Sequence, residues 1–293
     1  MTTEPADPPR PSHATAPNQF VTANGVRYAY RRFGAETGTP VVFLQHFRGG
    51  MDNWDPAVTD GLAANRPVIL FNNTGVASSS GQTPDTVEAQ ADDAAAFIRA
   101  LGLTHVDVLG FSIGGYVAQA LTLRHHDLVR RLVLAGTKPR AGDDTDRDPD
   151  VNTVATRHEV LTLEDLRFLF FAPSTASQAA GERYWDRCHQ RAIDVDPPTS
   201  KQTMQAQAAA IVEWKLPHGA PFADLKRITQ PTLVINGHRD VMVPTINSYY
   251  LAQHIPAAQL IVYPDSGHGS LFQYPELFVA DVGRFLNAAV AFA

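Results

Sequence analysis

The chain has 293 residues, 44% of them hydrophobic and 18% charged, with a formal net charge of -6. That is enough apolar material for a sizeable core and excludes a globally disordered chain. No basic patch or Lys/Arg run is present, which excludes nucleic acid or an anionic membrane surface as the main partner, and no apolar stretch approaches a transmembrane span.

A single cysteine, Cys188, excludes an intrachain disulfide and fits a reducing compartment. The N-terminal stretch lacks the apolar region of a signal peptide, so the expectation is a cytoplasmic protein. Residues 1–18 hold five prolines among polar residues and predict a disordered tail. From Phe20 to Phe33 the pattern predicts a hairpin turning at Asn24-Gly25. Pro40 to Leu44 is a continuous apolar run, as expected of a strand buried on both faces, and it leads into Gln45-His46-Phe47-Arg48-Gly49-Gly50. Val68 to Phe71 is a second such strand. Thr86 to Leu101 has helical spacing with an alanine-rich face and ends at Gly102.

Val106 to Leu109 predicts the next buried strand, and Tyr116 to Leu121 is helix-compatible. Between them lies Gly110-Phe111-Ser112-Ile113-Gly114. A G-x-S-x-G between strand and helix is the nucleophile elbow of serine hydrolases. Its turn is tight enough to require glycine beside the serine, and the helix N-terminus behind favours negative charge. Leu128 to Ala135 then supplies another strand. Strands alternating with helices predict a mostly parallel sheet covered on both faces.

The alternation stops at Thr137. Lys138 to about Gly219 lacks apolar strand runs and predicts a helical insertion, with segments around Leu163–Phe171, Ala176–Ile193 and Lys201–Trp214. Its aromatics, Phe168, Phe170, Phe171, Trp185 and Trp214, are too many for a solvated surface. Most are expected in its own core, and some in an apolar pocket. The strand pattern resumes at Pro231 to Asp240. A helix over Ser248–His254, a strand over Ala258–Tyr263 and a closing helix over Pro275–Leu286 follow. The expected division is therefore a tail (1–18), a first core part (19–137), a helical cap (138–220) and a second core part (221–293).

A serine hydroxyl needs a base to take its proton, and a histidine base needs a carboxylate to fix its tautomer. Ser112, Asp240 and His268 each fall just past the C-terminal end of an expected strand, where the crevice of an open α/β sheet lies. Asp265 precedes His268 too closely to reach its ring. Cys188 lacks a glycine turn and is not expected to be a nucleophile. The acidic run Asp143 to Asp150 has Pro149 and Ala155 where a calcium loop needs glycine and glutamate, so no metal site is expected there.

The order Ser, Asp, His, with FLQHFRGGMDNWDP, RPVILFNNTGVASSSG, LGFSIGGYVAQ, PTLVINGHRDVMVP and YPDSGHGSLFQYPE, resembles the α/β-hydrolase superfamily in its small serine esterase and cofactor-free haloperoxidase-like branch. The resemblance implies Ser112 as nucleophile, Asp240 as triad acid and His268 as general base. It implies an oxyanion hole from the backbone N–H groups of Phe47 and Ile113, and no metal or organic cofactor. Two departures stand out: Gln45-His46 replaces the usual His-Gly pair, and Asn72 replaces a common Asp. The expected function is hydrolysis of a carboxylic ester or lactone of a small, largely apolar molecule. His46, Phe111, Phe170, Trp214 and Leu271 are the expected pocket residues. Perhydrolysis and slow-turnover ligand reception are the alternatives. The serine argues against the aspartate-nucleophile epoxide hydrolases and dehalogenases of this fold.

Overall fold

The computed structural model describes residues 10–289. It contains strands β1 (Gln19–Ala23), β2 (Val26–Gly34), β3 (Val41–Leu44), β4 (Pro67–Phe71), β5 (Val106–Phe111), β6 (Val129–Ala135), β7 (Thr232–Gly237) and β8 (Ala258–Tyr263). They form one eight-stranded sheet in the order β1-β2-β4-β3-β5-β6-β7-β8. The hairpin β1–β2 joins β4 antiparallel, and every other pairing is parallel. Asn24 and Gly25 both take positive φ, as a tight hairpin turn with matching twist demands.

Side-chain alternation divides the core in two. Val41, Phe43, Leu109, Phe111, Val133 and Ile235 point to one face, covered by α1 (Pro56–Ala63) and α10 (Pro275–Asn287). Val42, Leu44, Val108, Leu132, Leu134 and Val234 point to the other, covered by α2 (Val87–Ala100), α3 (Ile113–Arg124) and α8 (Ile246–His254). A strand buried on both sides needs no polar alternation, so these strands read as uninterrupted apolar runs.

The insertion carries α4 (Val151–Thr156), α5 (Leu163–Phe170), α6 (Thr175–Cys188) and α7 (Lys201–Trp214), and a short α9 (Ser270–Gln273) precedes α10. Serine or threonine caps start three of the insertion helices: Thr162, Ser174 and Ser200 each accept from a backbone N–H of the first turn. Arg187 on α6 anchors the insert to the core, gripping the buried Asp55 carboxylate at 2.8 and 2.6 Å.

The expectation of a disordered tail through residue 18 fails over residues 10–18. His13 is 1% exposed, its N–H donating to Asp60 at 2.7 Å and its Nδ1 lying 2.9 Å from Thr59 Oγ1. The Arg191 guanidinium donates to the carbonyls of His13, Ala14 and Ala16. A long-range cation satisfying three backbone acceptors outweighs a proline-rich composition. The rest of that expectation, residues 1–9, lies outside the described residues. No described helix is long and apolar enough to cross a membrane.

Candidate active site

Ser112 stands between β5 and α3 with φ 58° and ψ -124°, a strained backbone for a residue with a side chain. The neighbouring glycines make the turn possible. A Cβ on Gly110 would lie 2.4 Å from the Gly114 carbonyl oxygen, and one on Gly114 would lie 2.0 Å from the Leu44 carbonyl oxygen. Glycine at 114 therefore lets the start of α3 press directly against the end of β3. Ser112 itself is 7% exposed, and its carbonyl accepts from Thr137 Oγ1 at 2.8 Å.

Asp240 and His268 come together although 28 residues separate them. The loop after β7 carries Asp240, whose Oδ1 accepts from the N–H groups of Met242 and Val243 at 2.8 Å each. Its Oδ2 lies 2.7 Å from His268 Nδ1, with both side chains fully buried. A carboxylate can only accept here, so Nδ1 carries the proton and His268 Nε2 presents a lone pair. That nitrogen is buried and has no hydrogen-bond partner among the described residues, Ser112 included. Such bonds are often long before substrate binds. The His268 ring lies against Phe111, the residue before the serine, at 4.8 Å between centroids.

The loop after β3 is built by its two unusual residues. Gln45 Oε1 accepts from the His46 N–H and Gln45 Nε2 donates to the Gly50 carbonyl, both at 2.8 Å. The side chain thus braces a turn that a His-Gly pair would make differently. The N–H groups of Phe47 and Ile113 donate to no acceptor among the described residues. Asn72 has a similar logic. Its Oδ1 accepts from the Met51 N–H at 2.9 Å, while its Nδ2 donates to Asp196 Oδ1 at 2.8 Å. An aspartate could do the first and not the second.

Of the expected pocket residues, His46, Phe111 and Phe170 gather with His268 in one cluster of rings. His46 lies edge-on to Phe111 at 5.5 Å and to Phe170 at 5.2 Å, and Phe170 lies 5.6 Å from His268. Trp214 does not join them. It stacks on Tyr116, donates to the Lys138 carbonyl and lines a separate cavity of about 30 Å³, because α7 delivers it to the seam on the other side of the sheet. Leu271 is fully buried in the core cluster with Phe272. A larger cavity of about 260 Å³ opens beneath the insertion, walled by Phe47, Val160, Leu161, Leu166, Trp185 and Val195. It reaches His46 and Phe47 but not Ser112, so the loop after β3 separates it from the elbow.

Burial pushes the His46 imidazole down to about 4, opposed by its bond to the Phe47 carbonyl, so the ring is neutral near pH 7. Burial pushes the Cys188 thiol well above its ordinary range, which makes it inert despite its place on the cavity wall. Arg48 is a site residue that sequence reasoning missed. Its N–H donates to Gln207 on α7, and its guanidinium donates to the carbonyls of Ala155, His158 and Glu159. The loop after β3 is thereby fastened to the insert. Glu88, Glu213 and His218 approach one another as metal ligands would, but Arg140 pairs with both carboxylates.

Comparisons with known proteins agree with this fold. Residues 39–275 match the family model described as the alpha/beta hydrolase fold. An alpha/beta hydrolase fold protein from Chitinophaga pinensis is 40% identical with a TM-score of 0.89, covering 94% of this chain and 99% of that one. A thermophilic esterase from Thermogutta terrifontis is 25% identical with a TM-score of 0.70, covering 92% and 98%. The 2-hydroxymuconate semialdehyde hydrolase of Pseudomonas sp. (strain CF600) is 28% identical over 295 residues, 97% of this chain and 98% of its own. On its sheet order, its elbow and this match, the chain belongs to the α/β-hydrolase family.

Proposed function

We propose that this hydrolase cleaves a carboxylic ester, or lactone, of a small and largely apolar molecule through an acyl-enzyme on Ser112. The observation that carries the reading is the fully buried Asp240–His268 pair, 2.7 Å apart, beside a serine on a strained turn. A buried imidazole whose Nδ1–H is held by a carboxylate is a base aimed through Nε2. The likeness to an esterase at 25% identity over most of both chains supports the same class.

In the first half-reaction His268 Nε2 takes the Ser112 proton as Oγ attacks the ester carbonyl. The oxyanion forms beside the free N–H groups of Phe47 and Ile113, whose dipoles are fixed in advance by the braced loop and by the start of α3. His268 then hands its proton to the leaving alcohol. Water enters, gives a proton to the same nitrogen as its oxygen attacks the acyl carbon, and His268 returns that proton to Ser112 Oγ as the acid leaves. Asp240 stays ionised and stabilises the imidazolium in both halves. The Phe111 and Phe170 rings against His268 favour an apolar acyl or alcohol group of modest size.

Steady-state hydrolysis of short- to medium-chain aryl esters, with Ser112→Ala alongside, tests the reading. Multiple turnovers that fall by roughly a millionfold in the variant are expected. Turnover surviving in Ser112→Ala would reject it.

A further inference from the structure

His46 carries a second unsatisfied imidazole nitrogen at the site. Its ring is 5% exposed, and Nδ1 lies 2.9 Å from the Phe47 carbonyl oxygen. A carbonyl only accepts, so Nδ1 holds the proton and Nε2 offers a lone pair. That Nε2 is buried with no hydrogen-bond partner among the described residues. Bracing the loop explains Nδ1 but leaves Nε2 without a purpose. A buried acceptor that meets no donor carries a desolvation cost, and a phenylalanine or leucine would pack against Phe111 and Phe170 without it. His46 also belongs to the ring cluster over the elbow, touching Phe111, Phe170 and the neighbourhood of His268.

We propose that His46 sets specificity: its Nε2 accepts a hydrogen bond from a hydroxyl or amide N–H of the substrate bound against the Phe111 and Phe170 rings beside His268, so the favoured ester carries such a donor. The inference rests on the hydrolase reading above and narrows its substrate class. The rings of Phe111 and Phe170 bring apolar contact to the same group. A neutral acceptor therefore lies among the rings beside His268. A site that must satisfy a buried acceptor discriminates against analogues lacking the donor.

The test is a set of isosteric ester pairs, the first two of them phenyl esters. N-acetylglycinate is matched with 4-oxopentanoate, and 3-hydroxybutanoate with 3-methylbutanoate. A third pair, 2-hydroxyethyl against propyl butanoate, places the donor on the alcohol side. The wild type should prefer the donor-bearing member of at least one pair by about 10- to 100-fold in kcat/KM. In His46→Phe that ratio should fall towards one, and His46→Gln, which restores an acceptor, should recover part of it. The ratio is read within each enzyme, so a general loss of activity cancels. No preference in the wild type, or a preference that survives in His46→Phe, overturns the inference, as does a loss shared equally by both members of every pair. If His46→Phe does not fold, the wild-type ratios and His46→Gln decide in its place. Turnover of donor-free esters that disappears in Ser112→Ala tests the hydrolase reading separately. Absence of all turnover overturns both.

Discussion

The backbone N–H of Arg48 donates to Gln207 Oε1 at 2.7 Å, tying the loop after β3 to helix α7 of the insert. Arg48 sits at φ 64°, and its carbonyl accepts from Thr199 Oγ1 at 2.5 Å. Phe47, immediately before it, carries one of the two N–H groups assigned to the oxyanion. The insert therefore holds that loop in its strained shape as well as roofing the cavity.

Gln207→Leu keeps the volume and removes the acceptor. It should lower stability by about 1–3 kcal/mol, the cost of leaving a buried N–H unpaired, and lower kcat more than it raises KM. Denaturant unfolding and ester kinetics on the same preparation check both. Unchanged kcat would separate the insert from the oxyanion loop.

Asn72 and Asp196 predict a pH effect. Burial, then repulsion from Asp52, raises the Asp196 carboxyl above its ordinary value of 3.8. A carboxyl with a folded pKa above its unfolded one binds protons better in the folded state. Its penalty is absent below the unfolded value and grows as pH rises through the folded one. Asp196→Asn should therefore leave Tm nearly unchanged at pH about 4 and raise it at pH 7. Asn72→Asp should do the reverse, costing about 1–3 kcal/mol at pH 7 through the lost donor. Thermal melts across that range decide.

Gly114→Ala places a Cβ 2.0 Å from the Leu44 carbonyl oxygen. Neither backbone can yield without moving the elbow or the end of β3. A loss of about 3 kcal/mol or more is expected, with activity falling further than stability. Wild-type kinetics in a folded Gly114→Ala protein would contradict the close approach.

Asp240→Asn preserves the shape of the loop after β7 but offers His268 an amide. The favoured tautomer then reverses, and kcat should fall by about ten-thousandfold while KM changes little. A loss below tenfold would remove Asp240 from the mechanism.

The sheet was legible because burial on both faces turns a strand into an unbroken apolar run, as in Val41–Leu44 and Val106–Leu109. The elbow was legible because its sterics admit few residues beside Ser112. The fastening of the insert was not. Arg48, Arg187 and Arg191 act over separations of more than 100 residues, and all three also donate to carbonyl oxygens, which every residue type possesses. The same reason hid the packing of residues 10–18. Helix α1 is signalled by Asp55-Pro56, a cap followed by proline at the first turn. Trp214 was read as a pocket residue on aromatic content alone, which says nothing about the face to which α7 turns it.

The most direct measurement on the central claim is covalent. Incubation with an aryl phosphonate ester, followed by intact mass and peptide mapping, reports which side chain is the nucleophile. The account predicts a single adduct on Ser112, formed fast in the wild type, slowed by orders of magnitude in His268→Ala and absent in Ser112→Ala. An adduct on another residue, or ester turnover with Ser112 unlabelled and dispensable, would contradict it.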